Sequence, residues 1–580
     1  MSRKRLPIGI QDFEKIINDG YLYVDKTEYI YSLTHGDGSA YFLSRPRRFG
    51  KSTFVQMLKC FYDISYKDRY DALFAGTEIY KANLKSHSTY HVLNFDFSRV
   101  NTHNKKAIYK SFFSAVAFGI NNFKKRYPDF IFDYESLDKS DSVTLFNNFA
   151  SAYTNYSSEG RLYVMIDEYD NFANQILVQN LKLFRYITSS GGFLKDFYAS
   201  IKAATVDAAC IAKTFITGVS SASLDSLTSG FNITLNVTSD KRFNSYAGFT
   251  EMELKLLIPQ LVDVASIGVS VDDVISRMKP VYDGYCFSRL AENTLYNSSM
   301  CLYYLNQMQS YQEFLAPEKT VDPASDSDGS KLKQLFDLSE KGLPNKIINN
   351  YLSGEAFILD KLAENINLNK NSKYDETQLL SMLYYLGYLT IDPQLSSMDR
   401  IVLKIPNLFT SVLFAQCTVD LRLKPNNIFC DHTLDVSSLL DTSDDLSTFA
   451  NSCTEFLSAI FSNQVLSHMS EMALNLVLHA KLSQILGKAA ELQKPLHVVA
   501  KGEKYADLVV TVNIGKSNEC IYVIELKYSS KKDATEGNIT KLKNEAAEQT
   551  KTYSSAIEFK GKMVKAYSMI FVGPECVFWG

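Results

Sequence analysis

This sequence predicts an α/β protein on three observations. From residue 1 to about 265, short apolar runs alternate with amphipathic helical stretches, the pattern of a mostly parallel sheet with helices on both faces. From 266 to 430 helical periodicity dominates, which predicts a helical middle domain, winged-helix-like where a hairpin closes it. From 431 to 580 strands return around one long helix, which predicts a second α/β domain. A chain of 580 residues has the length of about three such domains.

In the first domain the predicted strands are 40–44, 91–97, 162–167 and 214–219, each apolar almost throughout, as strands buried on both faces are. In the middle, helices are predicted at 252–264, 271–279, 299–308, 345–364 and 376–387, with a hairpin from 386–391 to 401–406. Residues 316–330 are poor in apolar side chains and rich in Pro, Ser and Asp, so they read as a loop or linker. A polar stretch at 435–447 marks entry to the last domain. There, helices at 447–462 and 468–488 precede strands at 496–500, 506–513 and 520–528, a helix at 537–556 and a strand at 564–572.

Composition narrows the function classes. Hydrophobic residues make up 46% and charged residues 22%, an ordinary globular balance. The net charge of −3 leaves no global basic field, so any nucleic-acid site must be local. The nine cysteines are scattered without a CxxC pair, which points away from zinc or a disulfide framework and toward reduced thiols in a cytosol-like compartment. Met1–Pro7 has no apolar core of a signal peptide, and no apolar run approaches the ~18–20 residues of a membrane span, so a cytoplasmic protein is expected.

The sharpest motif is Ser44-Arg45-Pro46-Arg47-Arg48-Phe49-Gly50-Lys51-Ser52-Thr53, between an apolar strand and a helical run. Strand, Gly-Lys-Ser loop and helix, in that order, form a phosphate-binding loop. Arg48, Phe49, Gly50, Lys51, Ser52 and Thr53 are its nucleotide-contacting residues: backbone N–H groups face phosphates, Lys51 reaches the β- and γ-phosphates, and the Ser52 hydroxyl ligates Mg²⁺. Arg45 stands where such loops usually have their first Gly, so a basic surface turn is the competing reading. The strand Leu162–Asp167 followed by Glu168 supports the nucleotide reading, with Asp167 holding Mg²⁺ through water and Glu168 polarising the attacking water. Thr217 and Ser220, at the end of the 214–219 strand, are candidate γ-phosphate sensors.

The last domain carries a second set. Asp507 lies in one predicted strand and Glu525-Leu526-Lys527 in the next, joined by the turn Gly515–Asn518. Glu525 and Lys527 are two apart and share a strand face, and the hairpin can bring Asp507 beside Glu525. Two carboxylates and a strand carbonyl suit Mg²⁺ or Mn²⁺, and Lys527 can orient water and stabilise phosphorane-like charge. Gln549 and Tyr553, four apart on the following helix, face the same way, and Glu471 can support a metal ligand. Residues 501–565 hold 12 Lys against 9 Asp and Glu, a small local excess for a nucleic acid.

Taken together with Leu6–Phe13, Tyr23–Thr27, Gly248-Phe249-Thr250, Tyr282-Asp283-Gly284-Tyr285 and Gly387-Tyr388-Leu389-Thr390, these motifs resemble one family over most of the chain. It is the family of bacterial-type proteins that join an AAA-ATPase-like domain to a C-terminal nuclease domain of the PD-(D/E)XK superfamily. The resemblance implies a P-loop NTPase sheet at 1–265 and a restriction-endonuclease-like domain at 431–580. It implies ATP and Mg²⁺ as cofactors, DNA rather than RNA as partner, and ATP hydrolysis that gates or powers endo- or exonuclease cleavage. The alternative is a nucleotide-driven switch whose nuclease fold is an inactive binding module. This sequence has Asn297-Ser298 where the family often has Asn-Pro, and Tyr505-Ala506 where it tends to have a Gly-Arg-like pair. Arg45, Arg47, Arg48 and Arg242 are all open as phosphate contacts, and a finger supplied in trans would require a homo-oligomer.

Overall fold

The structure is a computed structural model. It describes residues 4–157, 161–188, 192–206, 210–220, 234–315, 326–363, 373–423, 434–498 and 502–580. The chain divides into two compact units. One comprises 1–313, 337–340 and 358–406; the other comprises 314–336, 341–357 and 407–580.

The first unit is built on five parallel strands: β1 (Ala40–Ser44), β2 (His91–Asp96), β3 (Leu162–Asp167), β4 (Ile211–Gly218) and β5 (Leu235–Asn236). Their order is β2-β3-β4-β1-β5. Every residue of β1 and β3 is buried, so both faces of the sheet are covered, as continuous apolar runs require. Helices Lys51–Tyr62, Lys105–Arg126 and Phe193–Val206 pack on these strands. Much of the aromatic content is spent here: Phe97, Phe112, Phe172, Phe193 and Phe197 form one cluster of rings, mostly edge-to-face, with Phe97 stacked on Phe112. The outer edge of β2 is sealed by the Lys105–Arg126 helix, from which Arg126 donates to the Val92 carbonyl and the following Tyr127 hydroxyl accepts from the Val92 N–H. A β-carbon on Gly119 would lie 2.7 Å from the Asn94 carbonyl, so only glycine lets the helix approach this closely.

The 266–430 stretch contributes to both compact units: residues 266–313, 337–340 and 358–406 group with the first, and 314–336, 341–357 and the residues from 407 with the second. The reason is packing against the phosphate-loop segment. Gly248 N–H donates to the Phe49 carbonyl, Tyr285 and Phe287 set their rings against Phe49, and Pro46 sits against Gly387. The predicted hairpin is present as β7 (Thr390–Ile391) paired antiparallel with β8 (Ile401–Lys404), and β6 (Phe357–Leu359) completes a three-stranded sheet in the order β6-β8-β7. The helix predicted at 345–364 ends instead at Ser353, because Gly354 takes a left-handed φ of 72°. Residues 316–325 of the predicted loop lie outside the described residues, whereas Asp326–Asp337 is helical.

The second unit carries a five-stranded sheet of β9 (Ala490–Val498), β10 (Gly502–Val512), β11 (Cys520–Ser529), β12 (Met563–Val572) and β13 (Glu575–Trp579), in the order β13-β12-β11-β10-β9. β10 and β11 form the predicted hairpin, β12 runs parallel to β11, and the helix Glu536–Tyr553 makes the crossover between them.

Arg45 shows how the first unit holds its phosphate-loop segment. Its side chain is 1% exposed, and its guanidinium donates to the carbonyls of Ser44 (2.7 Å), Thr238 (2.9 Å), Phe243 (2.6 Å) and Asn244 (3.2 Å). It also lies over the rings of Phe287 and Tyr246, at 4.2 and 4.9 Å. Burial pulls its guanidinium below the ordinary value, and the carbonyls compensate. An Arg45→Met chain would leave those carbonyls without a cation. We expect a loss of about 3–5 kcal/mol, measured by denaturant unfolding of the full chain, with the cost falling on stability.

Candidate functional site

In the first unit, the carboxyl ends of β1 and β3 open into one cavity of about 620 Å³, within the ~300–1,000 Å³ of small-molecule and cofactor sites. The loop after β1 reaches it through two left-handed residues, Arg48 (φ 68°) and Gly50 (φ 98°), the latter capping the helix that starts at Lys51. Such a backbone turns successive N–H groups toward one point and forms an anion nest. Lys51, 4% exposed, donates to the Pro46 carbonyl at 3.1 Å and lies 3.8 Å from a Glu168 carboxylate oxygen. Ser52 and Thr53 line the same cavity.

The acids approach from β3. Asp167 accepts from the Glu168 N–H at 2.9 Å and is hydrogen-bonded to Ser52. Burial pushes its carboxyl up to about 7, against the Ser52 hydrogen bond, with Glu168 adding to the rise. Glu168 itself takes a left-handed φ of 53°, a costly conformation for a residue with a side chain, of the kind that concentrates at functional sites. The predicted loop residues, Asp167 and Glu168 therefore converge at one place. The hydroxyl of Ser52 beside a buried carboxylate is a hard-oxygen pair, and this donor set fits Mg²⁺.

Other sequence candidates prove to be scaffold. The Phe49 ring packs against Tyr285 and Phe287, leaving its backbone to the site. The Thr217 hydroxyl donates to the Leu43 carbonyl at 2.6 Å. The Ser220 N–H donates to Asp170, which also accepts from the Val219 N–H and the Asn174 amide. Asp170 is thus a brace between the ends of β3 and β4, and Gly218 leaves room for it: a β-carbon there would meet its carboxylate at 2.3 Å. Arg242 is paired with Asp240. Asn297 caps the helix Ser298–Tyr311, and Ser298 sits at the first helical position, where proline is also tolerated. Its hydroxyl donates to the Arg48 carbonyl at 3.1 Å, a bond proline could not make. Two cavity residues escaped the sequence reading: Asp96, which pairs with Asp167 in the parallel ladder, and Asn171. The signal for Asp96 was present, since it ends an apolar strand.

In the second unit, the hairpin register leads from Leu508↔Ile524 directly to Asp507 and Glu525. Asp507 accepts from the Leu526 N–H at 3.0 Å. Lys527 donates to Glu525 at 2.8 Å and lies 3.4 Å from Glu471, which also accepts from the Tyr528 N–H at 3.2 Å. Burial and the neighbouring Asp507 push the Glu525 carboxyl up to about 7, against the Lys527 hydrogen bond. Burial opposes the charge on Lys527, yet the hydrogen bond and charge of Glu525 hold its ammonium above the ordinary range. Gln549 donates to the Tyr553 hydroxyl at 3.5 Å, and both line a cavity of about 430 Å³ with Lys527 and Lys504. The predicted helix-strand-strand-helix set is therefore assembled. Among the described residues no group of three His, Cys, Asp or Glu is arranged to hold a metal ion. One oxygen of Glu525 is nevertheless buried without a hydrogen-bond partner, which fits a cation held by Asp507, Glu525 and a backbone carbonyl.

The raised carboxyl of Asp167 carries a sign. Its folded value of about 7 lies above the ordinary 3.8, so its burial costs stability increasingly as pH rises between those values. Asp167→Asn should therefore stabilise the nucleotide-free chain, by about 1–2 kcal/mol at pH 5 and by up to about 4 kcal/mol at pH 8. Thermal melts at the two pH values check this; a gain independent of pH would contradict it.

Residues 7–228, within the first unit, match the model of the AAA-ATPase-like family, described as predicted AAA-ATPase. Over 292 residues the chain is 30% identical to an uncharacterized protein of the vnfD 5′ region of Azotobacter chroococcum mcd 1, covering 49% of each. The chain spans about half the length of that curated relative. Among solved structures it is similar to the Walker-type ATPase PABY2304 of Pyrococcus abyssi, with a TM-score of 0.39 and 12% identity, over 71% of this chain and 98% of the other.

Proposed function

We propose that the first unit binds and hydrolyses ATP with Mg²⁺, and that the second is a metal-dependent nuclease whose cleavage of DNA is gated or powered by that hydrolysis. The observation that carries the first half is the convergence of Lys51, Ser52 and Glu168 in one cavity, with the buried Asp167 hydrogen-bonded to Ser52 behind its wall. Lys51 and the loop N–H groups bind and orient the phosphates, and Ser52 and Asp167 would hold Mg²⁺, which neutralises phosphate charge. Glu168, at the cavity wall, accepts a hydrogen bond from the attacking water and aims it at the terminal phosphorus.

The nuclease half rests on Asp507, Glu525 and Lys527 meeting at the crossing of β10 and β11. Asp507 and Glu525 would hold Mg²⁺ or Mn²⁺, which supplies Lewis-acid polarisation of a phosphodiester. Lys527 donates toward the charge that develops on the phosphate, while Glu471 fixes the Tyr528 backbone and so the Lys527 end of the strand. Gln549 and Tyr553 border the same cavity, placed to touch DNA or water. One observation favours the second reading, a binding module that does not cut: Lys527 is engaged by Glu525 and Glu471, and no three-ligand cluster accompanies it among the described residues.

The experiment is cleavage of linear, circular and single-stranded DNA with Mg²⁺ or Mn²⁺, with and without ATP. Asp507→Ala, Glu525→Ala and Lys527→Ala should each lower cleavage by at least about 10²-fold, while ATP hydrolysis persists in all three. Cleavage that survives these changes overturns the nuclease assignment. Mn²⁺ binding by titration calorimetry, lost in Asp507→Ala, without cleavage by the wild type would establish the binding module.

A further inference from the structure

We propose that Arg47, supplied by the phosphate loop of the same chain, is the residue that tells ATP from ADP by contacting the terminal phosphate. This rests on the reading that the cavity of the first unit takes ATP. The loop Arg45-Pro46-Arg47-Arg48 offers three guanidinium groups beside a phosphate nest, and the structure gives them different fates.

Arg45 is consumed by four carbonyls and two rings in the core. Arg48 also lines the cavity, on a backbone with a left-handed φ and a carbonyl that accepts from Ser298 and Ser299. Arg47 is half-buried, lines the cavity and donates to the side-chain oxygen of Asn171 at 2.8 Å. Asn171 opens the helix Asn171–Gln179, which follows the acid-bearing end of β3. The Arg47 guanidinium is thereby held on the Asn171 wall of the cavity, which Glu168 and Asp96 also line. The terminal phosphate belongs at that side, because the residue that polarises the attacking water must face it.

The partner chosen for Arg47 matters. Asn171 is neutral, itself 9% exposed, and held in place by donating to the Ser98 carbonyl at 3.2 Å and accepting from Gln175 at 3.4 Å. It orients a guanidinium without neutralising it. Among the described residues Arg47 forms no ion pair, unlike Lys51 with Glu168 or Arg242 with Asp240. An oriented, uncompensated planar fork at the wall of a phosphate cavity is suited to bidentate recognition of a phosphate oxyanion. ADP lacks the group it would meet. Because the residue comes from the loop itself, the contact needs no second copy of the chain. Arg47 is then a catalytic residue, and Asn171 a positioning residue that acts through it.

The test is direct binding of fluorescent ATP and ADP analogues, with Mg²⁺, to the full-length wild type and to Arg47→Ala, Arg47→Lys, Asn171→Ala and Arg242→Ala. The wild type should prefer ATP. Arg47→Ala should lose about 10- to 100-fold in ATP affinity with ADP affinity changed less than about twofold, and its kcat should fall on the order of 10³-fold. Arg47→Lys keeps the charge without the fork and should fall between; it also serves if the alanine variant does not fold. Asn171→Ala should lower the ATP-to-ADP preference in part, which a merely structural defect would not do. Arg242→Ala should leave both affinities at the wild-type level. An unchanged ATP-to-ADP preference in both Arg47 variants overturns the assignment. A wild type that binds neither nucleotide overturns both this inference and the ATPase reading beneath it, whereas a wild type that binds both with equal affinity sinks only the role of Arg47.

Discussion

A buried guanidinium decides the shape of the first unit's site. Most phosphate loops gain their tight first turn from a glycine; here Arg45 fills that place and reaches into the core instead. Its bonds to the carbonyls of Thr238, Phe243 and Asn244 tie the end of β1 to the segment that follows β5. Its stacking on Phe287 draws in chain from the expected middle domain. A cation at this depth is tolerable only when acceptors and rings meet its charge; both terminal nitrogens are so met and only Nε is left without a partner, so the surrounding backbone has to hold its carbonyls in register. The phosphate loop is therefore rigid on its core side before any ligand arrives, which is what preorganised electrostatic binding requires.

The family motifs that carried no chemistry in the sequence acquire a physical meaning from this arrangement. Gly248, Tyr285 and Gly387 come from three distant stretches, yet each touches Phe49 or Pro46. Asp170 and Gly218 are a matched pair, the carboxylate bonding two N–H groups of β4's exit and the glycine giving it space. Lys26 makes a similar tie, donating to both oxygens of Glu253, which closes the capping box of the helix Glu251–Leu261. These residues hold the loop and acids in place, and a residue that acts on geometry leaves no local chemical signature in sequence.

Legibility followed the strength of local signals. The runs Ala40–Ser44 and Leu162–Asp167 appear at the bounds read from sequence, because continuous apolar stretches bounded by polar residues admit few alternatives. The Asp507–Glu525 approach was legible for a similar reason: a short turn between two strands fixes the register. What escaped were features set by long-range contact. β5 is two residues long and exists only by pairing with β1. The helix Leu408–Leu423 is apolar on most sides and shows little periodicity. The division of 266–430 between two units depends on which residues meet Phe49, and Arg45 stayed open as a phosphate contact beside Arg47, Arg48 and Arg242 because an arginine in a basic loop gives no hint of four carbonyls waiting for it.

Both sites solve the same electrostatic problem in the same way. Each sets a lysine beside a shielded carboxylate: Lys51 stands 3.8 Å from Glu168 just past the end of β3, and Lys527 donates to the buried Glu525 within β11 at 2.8 Å. A buried carboxylate without such a partner would be strongly destabilising. Under the proposed function the lysine that stabilises the fold would also be the group offered to a phosphate, so ligand binding would exchange one ion pair for another rather than create a new one. The net gain is then the difference between two largely desolvated pairings, which is small and sensitive to geometry. That sensitivity favours oxyanions of matching size and charge, and it explains why the supporting residues around each lysine are as specifically placed as the lysines themselves.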